Sequence, residues 1–80
     1  MIMPTKHINF SQSLLGFGSY LLTKINHPLS VDDLWHEYQK DLKADNYLAT
    51  QSFDNLILTL IFLFSINTIK EKNGLIIRCN

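Results

Sequence analysis

Three histidines and one cysteine are the side chains that could bind a transition metal. His7, His27 and His36 are scattered along the chain, and Cys79 stands alone beside the C-terminus. A structural zinc site needs about four ligands at close spacing, so the sequence predicts no metal site. A single cysteine also allows no intrachain disulfide bond, which favours a cytoplasmic protein.

Two adjacent carboxylates and a short glycine motif are the other residues with catalytic potential. Asp32 and Asp33 stand where a helix is expected to begin, and they fit first-turn acids better than a general acid-base pair. Gly16-Phe17-Gly18 has no strand before it, unlike a phosphate-binding loop. No serine, histidine and aspartate set resembles a nucleophile elbow. We therefore expect a protein that is not an enzyme and has no cofactor.

The composition is that of one small folded domain, residues 1–80. Hydrophobic residues make up 46% of the chain and charged residues 18%, and seven basic residues balance seven acidic ones. A neutral chain differs from a strongly basic nucleic-acid clamp. The longest apolar run, Leu56 to Ile66, is shorter than the roughly 20 residues that span a bilayer, so no membrane segment is expected.

The first predicted helix follows an N-terminal arm of residues 1–10. It begins near Ser11 or Ser13, either of which can act as an N-cap. The glycines of Gly16-Phe17-Gly18 allow two interpretations, because glycine weakens a helix but permits close packing. Either another backbone approaches closely there, or the first turn is frayed and the helix is secure only from Ser19.

Two further helices follow from capping and periodicity. Leu29 is expected in a short bridge or strand, and Ser30 then caps a second, clearly amphipathic helix. Ser52 caps a third helix, which runs from about Phe53 to Phe64.

The C-terminal residues 66–80 predict a β-hairpin wing. We expect Ile66–Ile69 as its first strand, Lys70–Gly74 as its tip and Leu75–Arg78 as its return strand, with Asn73-Gly74 as a favourable turn dipeptide. Three helices followed by a hairpin are the plan of a winged helix-turn-helix, a mainly α (α+β) fold. The alternative is a plain three-helix bundle with an irregular tail.

The third helix has more apolar positions than one buried face needs. Leu58 and Ile61 fall on its outward face with Phe62 beside them, and we interpret these three residues as a partner-docking surface. In the alternative interpretation, the segment Lys43–Gln51 and the N-terminal arm cover them. The core row of the helix is predicted to be Phe53, Leu56, Leu60, Leu63 and Phe64.

The distribution of cations bears on DNA binding. A groove-reading helix presents arginine, lysine or amide side chains to bases and phosphates, yet no lysine or arginine lies between Lys43 and Lys70. Lys70, Lys72 and Arg78 of the wing could contact phosphates without sequence specificity. Equally, such lysines serve as a solubilising hairpin edge that blocks strand pairing.

Four stretches together resemble a known family. They are "MPTKHINFSQSLLGFGSYLL" near the N-terminus, "PLSVDDLW" before and within the second helix, "SFDNLILTLIFLFSINTI" across the third, and the closing "GLIIRCN". Together they look like the small middle components of ABC three-component systems, in the circle of bacterial defence operons that includes Lamassu.

The resemblance implies a winged-helix-like adaptor without active-site residues. Its partners would be an SMC-like ABC ATPase and an effector encoded in the same operon, which would perform the chemistry of antiphage or anti-plasmid defence. The resulting hypothesis is a non-enzymatic adaptor that docks through the third helix. A DNA-contacting protein that uses the basic wing is a second hypothesis, and a homodimer with an apolar seam is a third.

Overall fold

The protein is described by a computed structural model that covers the backbone of residues 4–44 and 50–79 and the side chains of residues 14–44 and 50–79. Its elements are three helices and a hairpin. They are α1 (Pro4–Lys24), α2 (Val31–Lys43), α3 (Phe53–Ser65), β1 (Ile69–Lys72) and β2 (Leu75–Arg78). This order confirms the predicted α+β, winged-helix-like fold and rules out the three-helix bundle with an irregular tail.

Helix α1 begins earlier than the sequence predicts. It starts at Pro4 rather than at Ser11 or Ser13, so most of the segment predicted as an N-terminal arm is helical. Proline at the first helical position needs no hydrogen-bond partner for its nitrogen and already has a helical φ angle. The prediction relied on serine caps and missed this start signal.

The two glycines of α1 differ in their surroundings. Gly18 is buried, and a Cβ atom placed on it would lie 3.1 Å from Cδ2 of Leu63 and 3.6 Å from Cγ2 of Thr59. Gly16 is exposed, with no atom within 4 Å of such a Cβ. Gly18 therefore lets α1 and α3 approach closely, and the alternative of a frayed first turn is wrong because the helix is continuous through both glycines.

Serine side chains start the other two helices, as predicted. Ser30 Oγ accepts a hydrogen bond from the backbone N–H of Asp33, and Ser52 Oγ accepts one from Asn55, each at 3.0 Å. These bonds satisfy backbone donors that the first turn of a helix leaves without an intrahelical partner. Asn67 closes α3 with a φ of 61°, the left-handed conformation expected for it.

The hairpin is shorter than predicted and has a tighter tip. Its first strand begins at Ile69 rather than Ile66, because residues 66–68 complete the end of α3. Asn73 and Gly74 have φ values of 55° and 82°, which suits a two-residue turn with both central residues left-handed. Leu29 pairs with Ile76 through two backbone hydrogen bonds of 3.1 and 2.7 Å, so the predicted bridge is present.

The core lies where the three helices and the inner side of the hairpin meet. Tyr38 sits near its centre, with its ring centroid 5.2 Å from that of Phe17 and 5.3 Å from that of Trp35. The buried hydrophobic residues are Phe17, Leu21, Ile25, Leu29, Leu34, Tyr38, Leu56, Leu60, Leu63, Ile69 and Ile76.

A polar cluster joins α1 to α2 at the rim of this core. Asp41 Oδ2 accepts a 2.6 Å hydrogen bond from the Tyr20 hydroxyl and lies 2.6 Å from Nζ of Lys24. The hydrogen bond from Lys24 and then that from Tyr20 lower the pKa of Asp41 below its ordinary value of 3.8. Desolvation and the bond to Asp41 raise the pKa of the Tyr20 hydroxyl. The cluster therefore favours a charged Asp41 and a neutral Tyr20.

We expect Asp41→Asn to destabilise the protein by about 1 kcal/mol at pH 7, because the ion pair with Lys24 is lost at a partly buried site. A carboxyl whose folded-state pKa is depressed stabilises the fold above its unfolded pKa, and this contribution disappears as pH falls through the folded value. The difference in the free energy of unfolding between wild type and variant, measured with urea, should therefore shrink below about pH 4. Glu37→Gln on the same helix is the control, with little expected change, because Glu37 is partly exposed and its ion pair with the exposed Lys40 is a long contact of 3.5 Å. A difference that persists unchanged at pH 3 would contradict this role for Asp41.

Candidate protein-docking surface

Helix α3 buries one row of side chains and exposes the opposite side. Leu56, Leu60 and Leu63 are buried, as predicted. The prediction was wrong for Phe53 and Phe64, which remain 40% and 37% exposed. Their positions turn away from the side of α3 that faces Gly18.

Thr59 is the buried residue of α3 that the sequence did not indicate. It is 1% exposed, and its hydroxyl donates a 2.7 Å hydrogen bond to the carbonyl oxygen of Asn55. Its Cγ2 atom would lie 3.6 Å from a Cβ atom placed on Gly18, so Thr59 faces α1. A threonine can face α1 because its hydroxyl is satisfied within its own helix while its methyl group packs.

The exposed side of α3 includes the polar residues Asp54, Asn55 and Ser65, and its remaining side chains are apolar. We call this apolar part the α3 face. Ile61 is 59% exposed and Leu58 is 41% exposed. Both residues were predicted to point outward. Ile57 is half-buried between them and the core. The α3 face consists of Phe53, Ile57, Leu58, Ile61 and Phe64.

Phe62 contributes less to this surface than predicted. It is only partly exposed and packs against the core cluster. Its ring therefore borders the α3 face rather than standing at its centre. The alternative in which Lys43–Gln51 and the N-terminal arm cover Leu58 and Ile61 falls partly on residues 45–49 and on the side chains before Leu14, which lie outside the described part of the chain.

Charge on α3 is limited to Asp54 in its first turn. An acid there is favourable for the helix dipole, and it would repel a phosphate backbone. In a winged helix this is the helix that enters the major groove, and here it has no lysine or arginine with which to bind DNA. The α3 face is therefore suited to an apolar partner surface rather than to nucleic acid.

The wing does not gather its three cations on one side. Lys70 pairs with Ile77, and Lys72 with Leu75, so these four side chains share the outer side of the hairpin. Arg78 lies on the other side, where its Nη1 donates a 3.2 Å hydrogen bond to the carbonyl oxygen of Leu22. The lysines thus form a pair with apolar neighbours, and Arg78 instead ties the hairpin to α1.

Among the residues considered for chemistry, Asp32, Asp33 and His36 lie on α2, and the side chain of His7 lies outside the described part of the chain. Within the described side chains, no group of three or more histidine, cysteine, aspartate or glutamate residues is arranged to hold a metal ion. An open cleft of about 450 Å³ lies between the α1–α2 connection and β2, lined by Ile25, Asn26, His27, Pro28, Ile77 and Arg78. None of the helices in the described ranges is long and apolar enough to cross a membrane.

Comparison with protein families gives one result. A family model described as ABC-three component (ABC-3C) system Middle Component 6 matches residues 3–79. A search of curated proteins and a search of solved structures found no match. The match spans all five elements described above, and a middle component of a multicomponent system has protein partners. The chain therefore belongs to the ABC-3C system Middle Component 6 family.

Proposed function

We propose that this protein is a non-enzymatic, cytoplasmic adaptor that links an SMC-like ABC ATPase to an effector in a bacterial antiphage or anti-plasmid defence complex. The single observation that supports this most is the exposed α3 face. Ile61 and Leu58 stand side by side, one helical turn apart, with most of Ile61 open to solvent. Membership of a middle-component family implies that the protein has partner subunits.

Docking through α3 is favoured by the size of the domain. An 80-residue chain buries only about 60% of the surface that its unfolded form exposes. Each apolar side chain left exposed therefore removes a substantial part of the hydrophobic free energy available for folding. Burial of apolar surface contributes roughly 25 cal/mol per Å², which a partner can recover. Exposed apolar clusters on small soluble proteins are typical of interaction sites.

Co-expression with the products of the adjacent genes tests this proposal. We expect this chain to elute from size-exclusion chromatography in a stable complex with one or both of them. Elution of the chain by itself, with the neighbouring products in separate peaks, would overturn the adaptor proposal.

Contact of the wing with DNA is the second candidate, favoured by the paired Lys70 and Lys72 on the outer side of the hairpin. If two phosphates are bound there, the logarithm of the DNA affinity should fall with the logarithm of the salt concentration with a slope of about −1.8. Replacement of both lysines with glutamine should remove this dependence, whereas Arg78→Gln should leave it nearly unchanged, because Arg78 faces α1. The adaptor proposal makes the opposite prediction: the isolated chain should show no DNA binding that depends on Lys70 and Lys72.

A further inference from the structure

We draw no further inference here: the strongest candidate, the open cleft between the α1–α2 connection and β2, shows nothing of what would occupy it, since Arg78 Nη1 donates its hydrogen bond to the carbonyl oxygen of Leu22 and His27 Nδ1 lies 2.6 Å from Asn26 Oδ1.

Discussion

Replacement of Leu58 and Ile61 with glutamate is expected to abolish complex formation while the isolated chain remains folded. Both residues belong to the exposed surface of the single chain, where substitutions usually change stability by about 0.5 kcal/mol or less. In a docked state the new carboxylates would be buried without partners. If each position contributes about 2 kcal/mol, as central interface residues do, affinity should fall about 1000-fold.

A matched control is available on α2. His36 and Gln39 are exposed and three residues apart, like Leu58 and Ile61, and their replacement with glutamate adds the same charge. Each new carboxylate would lie four residues before a lysine, which is a favourable helical spacing. We expect this control to bind the partners as wild type does.

Co-purification and circular dichroism of both variants provide the measurement. Wild-type binding by a folded Leu58→Glu/Ile61→Glu variant would refute docking through the α3 face. If the double variant does not fold, Ile61→Ser alone keeps the claim testable, because it removes the most exposed apolar side chain of α3 without adding charge. Phe62 is left unchanged because its contact with the core would confuse loss of folding with loss of binding.

Gly18→Leu is expected to destabilise the fold by overpacking the contact between α1 and α3. Even a Cβ atom at this position would lie 3.1 Å from Leu63 Cδ2, and Leu63 is itself buried. Overpacking of this kind typically costs 1–3 kcal/mol, which shifts the Tm of a domain of this size downwards by about 5–20 °C.

The same substitution two residues earlier is its control. A Cβ atom on Gly16 meets no atom within 4 Å, and leucine favours a helix over glycine by roughly 0.5–1 kcal/mol. We therefore expect Gly16→Leu to raise the Tm by a few degrees, as measured by thermal denaturation. Equal Tm changes for the two variants would mean that α1 and α3 do not approach closely at Gly18.

Capping and turn residues account for most of what could be predicted of the fold. Ser30, Ser52, Asn67 and Asn73-Gly74 act through local geometry, so a short stretch of sequence is sufficient to place them. The start of α1 was missed because Pro4 lies far from the serine caps. The first strand was placed too early because the capping of α3 occupies residues that have strand-forming side chains.

The candidate surface was predicted only in part, and the reason is physical. Asp54 and Ser65 share a row of α3 with Leu58 and Ile61, which is why these two residues could be placed outward. Phe53 and Phe64 have no such polar residues in their row, so amphipathic contrast does not determine whether they face the core. Tertiary packing determines which side of α3 is buried, because Thr59 and Leu63 pack against Gly18 of α1. Phe53 and Phe64 then turn outward although both are strongly apolar.

The wing cations show a similar dependence on pairing. Lys70 and Lys72 are two residues apart and share a side of the strand by simple alternation. The side on which Arg78 lies depends on the register of the two strands, which places Ile69 opposite it. The sequence alone therefore could not separate Arg78 from the two lysines.

Thiol accessibility at position 61 tests docking through α3 most directly. In a Cys79→Ser background, Ile61→Cys and Gln39→Cys can be labelled with a maleimide in the isolated chain and in the assembled complex. We predict that both thiols react readily in the isolated chain, and that assembly slows labelling at position 61 at least tenfold while leaving position 39 unchanged. Labelling of position 61 at the same rate before and after assembly would contradict the claim that α3 is the docking surface.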